Sequence, residues 1–309
     1  SDDASAVTLR IMDTNSVIDD VVPYRPLAAV HGNPFYGETI LKSGDGGVTY
    51  TNFTSIRTRA VMGTADTALA AGQALFWDMA NTVDVTIFPG GTLSSATEIA
   101  VLNGTNTALL GAEIIQFTTA TLIAANKYRL SGLLRGRRGT DTDMGSHTIG
   151  EAFTLLTQTT IEHLPLSNTS MGVRQYYRVG PATATTDDEI YQNVSFTHTG
   201  NAYKPYAPCH VKAERDSSGN LTITWIRRTR IGGTWLDYSD VQLGEESEKY
   251  QVDLMGGETV KRTIATTAPS ATYSAAEQTA DFGSPQSSVA IRVYQISAVR
   301  GKGYTKEVT

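Results

Sequence analysis

The sequence predicts an all-β chain, and three observations carry that expectation. Threonine, valine, tyrosine, glycine and asparagine recur in short bursts, the composition of strands punctuated by turns. Apolar residues alternate in period two in segments such as "VDVTIF" (83–88) and "LTITWIR" (221–227). Long stretches with the three-to-four spacing of an amphipathic helix are not evident.

In chain order, residues 1–28 are expected to be a linking segment ahead of a β-rich region that runs to residue 203. In "KSGDGGVTYTNF" (42–53), Asp45, Gly46 and Gly47 supply a turn that tolerates positive φ, with a strand after it. A calcium loop would need further oxygen ligands and a closing glutamate, and none follows Asp45. "VDVTIF" is a strand ending in the turn "PGG", and "TEIAVLNGTNTALLGAEIIQF" (97–117) is expected to be two strands about "NGTN". "RLSGLLRGRRGT" (129–140) is expected to be a tight turn.

Two prolines among small polar residues in "HTGNAYKPYAP" (198–208) mark a boundary, with the last domain placed at 204–309. That length suits one β-sandwich. Its strands are expected at 221–227, "KYQVDLM" (249–255), "TVKRTIA" (259–265) and "VAIRVYQISAV" (289–299). Leu221, Ile223 and Trp225 share one face, with Tyr250 or Tyr294 as packing partners. Without paired cysteines, a fibronectin type III-like sandwich is the better match than an immunoglobulin domain.

Composition narrows the functions. A formal charge of −6 gives no general attraction to nucleic acid or an anionic membrane. The single cysteine, Cys209, excludes an intrachain disulfide and is expected to be a buried, inert thiol. No run approaches the roughly 18 apolar residues of a membrane-spanning helix. The N-terminus has neither a signal-peptide pattern nor a methionine, so we expect the sequence to begin inside a longer polypeptide.

The chemistry-bearing residues point to structure rather than catalysis. Around Arg135, Arg137 and Arg138 the glycine spacing imitates a phosphate loop, but the lysine and the following helix are missing. Guanidinium forks in such a place suit bidentate bridging of carboxylates or backbone carbonyls at a domain or subunit contact. Arg227, Arg228 and Arg230 precede a glycine turn, with the acids of "GEESEKY" (244–250) close behind to pair them. Trp235 and Tyr238 in the same loop are candidates for a glycan platform or an interface anchor. His31, His147, His163, His198 and His210 stand singly, with no zinc-binding spacing, and no G-x-S-x-G elbow occurs. No catalytic residue, metal or cofactor is assigned, and no enzyme activity is expected.

Several segments, in order, resemble the C-terminal region of the tail-tip proteins of gene transfer agents and siphophages, the host-specificity or tail-hub "megatron" family. They are "KSGDGGVTY", "FWDMANTVDVTIFPGGTLSS", "AVLNGTNTALLG", "IIQFTTATLIAANKYRLSGLLRGRRGT", "WIRRTRIGGTWLDYSDVQLGEESEKYQV" and "VYQISAVRGKGY". The resemblance spans most of residues 30–305, and "YRLSGLLRGRRGT" and "WIRRTR" are its most specific parts. It implies a structural virion component at the distal tail tip, trimeric through the full-length hub. Such a component would close the hub beside other tail-tip proteins and present β domains to a host-surface glycan or protein. The family's glycosidase-like barrel lies upstream of the matched region, so its hydrolase activity does not transfer to this sequence. The alternative is a carbohydrate-binding module for host envelope glycan, motivated by fourteen tyrosines and the Trp235 loop. A hydrolase acting on envelope polymers is the third reading.

Overall fold

A computed structural model describes residues 7–14, 25–74, 76–233 and 240–309. The chain is mostly β, as its alternating patterns predict, and its contacts divide it into two compact units. One is built from residues 7–14 and 25–200, the other from residues 201–309.

The first unit opens with β1 (Thr8–Met12), β2 (Leu27–His31), β3 (Glu38–Lys42) and β4 (Thr51–Ile56). It continues through β5 (Met62–Ala65), β6 (Val83–Ile87), a single-turn helix α1 (Glu98–Leu102), β7 (Thr107–Leu110), β8 (Glu113–Ala124), β9 (Lys127–Arg137) and β10 (Ala152–Leu155). Then β11 (Glu162–His163), β12 (Arg174–Pro181) and β13 (Gln192–Thr197) return to the first strands.

The topology is therefore an insertion. β5, β6, β9, β8, β7 and β10 close into an antiparallel barrel, while β1–β2–β11 and β13–β12–β3–β4 form two sheets completed before and after it. Those sheets share a core that includes Leu9, Val30, Ile40, Ile56, Tyr177 and Val179. The barrel has its own core, with Val83, Val85, Leu110, Ile115, Phe117, Leu130 and Phe153 pointing inward. Closing the sheet removes most of the exposed strand edge an open sheet would carry. At Gly63 a Cβ would stand 2.2 Å from the Thr86 carbonyl oxygen, so only glycine lets β5 lie this close to β6. Arg10 ties β1 to the barrel: its guanidinium donates to the carbonyls of Phe153 and Gly63 and to the Thr154 hydroxyl. Burial there pulls its pKa down to about 10.

The second unit contains β14 (Cys209–Arg215), β15 (Leu221–Ile226), β16 (Tyr250–Gly256), β17 (Thr259–Thr266), β18 (Ser270–Tyr273), α2 (Ala275–Phe282), β19 (Ala290–Ser297), β20 (Gly301–Lys302) and β21 (Glu307–Val308). One sheet has the order β14–β15–β18; the other has β17–β16–β19, with β20 and β21 both pairing with β19. This strand order is that of a fibronectin type III-like sandwich. Leu221, Ile223 and Trp225 alternate inward along β15, and Trp225 meets Tyr250 edge to face with ring centroids 5.1 Å apart. Tyr250 is the core partner; Tyr294 lies beneath the Lys302 ammonium instead. Ser274 and Glu277 cap α2 reciprocally, and Gly283 at φ 85° ends it.

Several expectations are corrected. Residues 8–12, expected within a linker, are strand β1, held by five residue pairings with β2. The first half of 97–117 is helix α1 rather than a strand, because the Thr97 side chain accepts from the Ala100 N–H and starts a turn. Most of 129–140 is strand β9; the turn begins only at Arg138 and Gly139, with φ of 56° and 82°. Cys209 is half-exposed rather than buried. Asp45 spends its carboxylate on the Ser43 and Thr49 hydroxyls and the Val48 and Thr49 N–H groups, so its turn is closed by internal hydrogen bonds.

Candidate functional site

The barrel contains an ion network that no local sequence pattern announces. Glu113 opens β8 and Arg135 lies near the end of β9, and the pairing of those strands brings them together. Arg135 donates from Nε to Glu113 Oε1 and from Nη2 to Oε2, each at 2.9 Å. Its Nη1 reaches Asp78 Oδ2 at 3.0 Å and the Ala70 carbonyl at 2.9 Å. The Gly136 N–H adds a further donor to Glu113 Oε1 at 2.7 Å. On the other side, His147 Nε2 stands 2.6 Å from Glu113 Oε2 and its Nδ1 2.7 Å from Glu151 Oε1.

Two glycines make room. A Cβ on Gly72 would strike Asp78 Oδ2 and Arg135 Nη1 at 2.6 and 2.8 Å, and one on Gly111, at φ 57°, would meet Glu151 Oε2 at 2.2 Å. Asp78 itself is fixed by an isolated backbone bridge to Leu133 and by the Asn81 amide.

Electrostatics follow from this geometry. Burial alone would raise the Glu113 pKa, but hydrogen bonds from His147 and Arg135 outweigh it and hold the carboxyl below its ordinary range. Burial would likewise lower the His147 pKa, yet hydrogen bonds to Glu113 and Glu151 raise it above the ordinary imidazole value. With a carboxylate at each ring nitrogen, both nitrogens act as donors and the ring is an imidazolium. Every charged group here is engaged by another member. The arrangement is a saturated clasp across the barrel wall, built from β8, β9 and the segments around residues 70–78 and 147–151.

The three arginines of the central stretch have separate fates. Arg135 is fully buried in the clasp. Arg137 donates from Nε to Gln116 Oε1 at 2.8 Å, and Arg138 occupies the left-handed turn position. In the second unit, Arg227 pairs with Asp240 at 2.8 Å and also reaches the Val241 and Gln242 carbonyls. Arg228 lies over the Tyr206 ring at 5.3 Å. Arg230 pairs with Glu245 at 2.6 Å and lies over Tyr203. Trp235 and Tyr238 lie outside the described residues. Among the described residues no cluster of three or more potential metal-ligating side chains occurs, and no helix is long and apolar enough to cross a membrane.

Sequence reasoning missed Glu113, Asp78, His147 and Glu151. The available signal was Glu113 itself, an acid heading the apolar run "EIIQF" in a strand with no other charge nearby. Its partners lie 22, 34 and more residues away, joined only by the fold.

The family described as "Rcc01698-like, C-terminal" matches residues 60–154. That span begins two residues before β5 and ends inside β10, so it coincides with the barrel and holds every member of the clasp. No curated protein matches. Among solved structures, the FN1–FN3 domains of chicken CNTN1 align over 99% of this chain and 98% of theirs, at 10% identity and a TM-score of 0.23. Titin domains A168–A170 align over 99% of each chain, at 11% identity and a TM-score of 0.23.

Proposed function

We propose that this chain is a structural component of a phage or gene transfer agent particle, located at the tail tip, where its β domains close the hub and face the host. The observation that carries this reading is the family match falling on the barrel. The ordered motifs that resemble tail-tip proteins, which continue on both sides of that span, extend it to the rest of the chain.

The chemistry of the clasp supports an architectural role. Its two cations and three carboxylates are committed to one another, and Arg135 and Glu113 are wholly buried. A general acid or base has to present a proton or lone pair to a substrate, and these groups are already spent. We therefore read the chain as non-enzymatic, trimeric about a tail axis through its full-length hub, and engaged with neighbouring tail-tip proteins. Antibody raised against residues 60–154 tests the location: in negative-stain images of particles it should decorate the distal end of the tail. Labelling of capsids, or of no particle at all, would overturn the assignment.

A further inference from the structure

The sheet β13–β12–β3–β4 buries one face against β1–β2–β11; its other face is partly exposed, with Leu41, opposite Arg178, covered by the side chains around it. Along β12, Tyr177 and Val179 point inward, so Arg174, Tyr176 and Arg178 point outward with Ser195, Asn193 and Thr197 of β13 beside them. Arg174 lies over the Tyr176 ring at 5.6 Å and donates to the Ser195 hydroxyl at 2.8 Å. Arg178 lies over both Tyr50 at 5.8 Å and Tyr191 at 5.5 Å, while its two terminal nitrogens reach the Thr186 and Asp188 carbonyls. The Tyr191 ring rests on Gly180, where a Cβ would come within 2.6 Å of it.

The register carries this face to the end of the sheet. Thr39 aligns with Gly180 and Ser55 with Thr39, so Arg57 comes out level with Ala182 on the outer face. There a cleft of about 440 Å³ opens, lined by Phe35, Tyr36, Ser55 and Arg57 among others. Among the described residues, none of Arg57, Arg174 and Arg178 has a carboxylate within ion-pair distance, unlike Arg129, Arg135, Arg230, Arg262 and Arg292. Glu38, at the cleft, keeps its carboxyl buried against Gly32.

We propose that this face binds an anionic polysaccharide whose sparse carboxylates are met by Arg174, Arg178 and Arg57, with the Tyr176 and Tyr50 rings holding the guanidinium groups of Arg174 and Arg178 in place. The inference rests on the tail-tip reading for its biological setting, since it names what the particle would touch. Stacked guanidinium groups held by carbonyl and hydroxyl partners are pre-positioned, which lowers the ordering cost of binding. The spacing selects the ligand. Arg174 and Arg178 are four strand residues, roughly 13 Å, apart, whereas each strand of a DNA duplex carries a phosphate about every 3.4 Å of helix axis. Asp187, Asp188 and Glu189 on the adjoining loop, all exposed, would repel such a dense polyanion and tolerate a sparse one.

The test measures binding of the full chain to hyaluronate, which carries one carboxylate per disaccharide, with dextran as the neutral sugar and a single-stranded oligonucleotide as the dense polyanion. Salt-sensitive binding to hyaluronate is expected, with little to the other two. Arg178→Gln and Tyr176→Ala should each weaken it by about tenfold, and Tyr176→Phe should retain it. Both positions are half-exposed on the outer face, and unchanged melting temperatures would verify the fold. Absence of hyaluronate binding, equal or tighter oligonucleotide binding, or insensitivity to both Arg178→Gln and Tyr176→Ala would each overturn the inference. None of those results would move the antibody label on particles, so the two readings fail separately.

Discussion

Arg135 holds Glu113 through two parallel hydrogen bonds of 2.9 Å, and neither side chain retains exposed surface. Removing two charges from water is costly, and the pair is tolerable only because Asp78, His147, the Gly136 N–H and the Ala70 carbonyl satisfy what remains. The barrel therefore depends on the whole set. Losing one partner strands a buried charge rather than deleting a single contact.

Arg135→Met should accordingly destabilise the barrel by about 3–5 kcal/mol, because Glu113 and Asp78 would each lose a buried cationic partner. Arg135→Lys should recover only part of this, since an ammonium cannot make the paired contact. Denaturant unfolding of the full chain measures both. A loss below about 1 kcal/mol for Arg135→Met would mean that solvent reaches the clasp.

His147 gives the barrel a pH dependence whose sign is fixed. Its folded pKa lies above the unfolded value, so its contribution is complete below about pH 6.5 and is lost as pH rises through the folded pKa. The barrel should soften as pH rises above about 6.5, and His147→Gln should abolish that slope while lowering stability at pH 6. Melting curves between pH 5 and 9 compare the two proteins. Parallel curves across that range would show that the ring is not charged in the native state.

Glu38 acts in a lower window. Burial raises its pKa from 4.5 to about 7, only partly offset by the Tyr36 backbone, and neither carboxyl oxygen has a hydrogen-bond partner of good geometry. The folded chain keeps the proton that the unfolded chain releases, so stability falls between pH 4.5 and about 7 and levels off above. Glu38→Gln, neutral at every pH, should be the more stable protein at pH 8 and near parity at pH 4.5. An unchanged profile in the variant would place the native carboxyl in contact with water.

What the sequence revealed follows the range of the interactions concerned. Period-two alternation in 83–88 and 221–227 shows as strands β6 and β15, because burial of one face is a local constraint. The segment "TEIAVL" misled because α1 is a single turn, too short for helical periodicity to appear, and its residues suit strands equally well. The central arginine stretch misled for another reason. Gly132 and Gly136 adopt φ of 61° and 55° inside β9, so glycines that suggested a turn instead serve a strand. The sequence places these arginines at a domain or subunit contact, whereas Arg135 pairs within the barrel, with Glu113 and Asp78, 22 and 57 residues away. Long-range pairing of charges is set by barrel closure and leaves no spacing to read.

Trp225 tests the second unit. It is almost fully buried against Tyr250, and truncating a core aromatic typically costs about 3–5 kcal/mol. Trp225→Ala should lower the melting transition of that unit, while Trp225→Phe, which retains a ring against Tyr250, should cost less. Equal melting of the alanine variant and the parent would show that β15 faces the other way.

The tail-tip assignment is tested most directly by quantitative mass spectrometry of purified particles from the organism that encodes this chain. The account predicts peptides from residues 60–154 and from 204–309 in equal amounts, in a fixed ratio to the other tail-tip proteins that corresponds to three copies per tail. Their absence from particles of normal morphology, or recovery of the chain only in the soluble fraction, would contradict it.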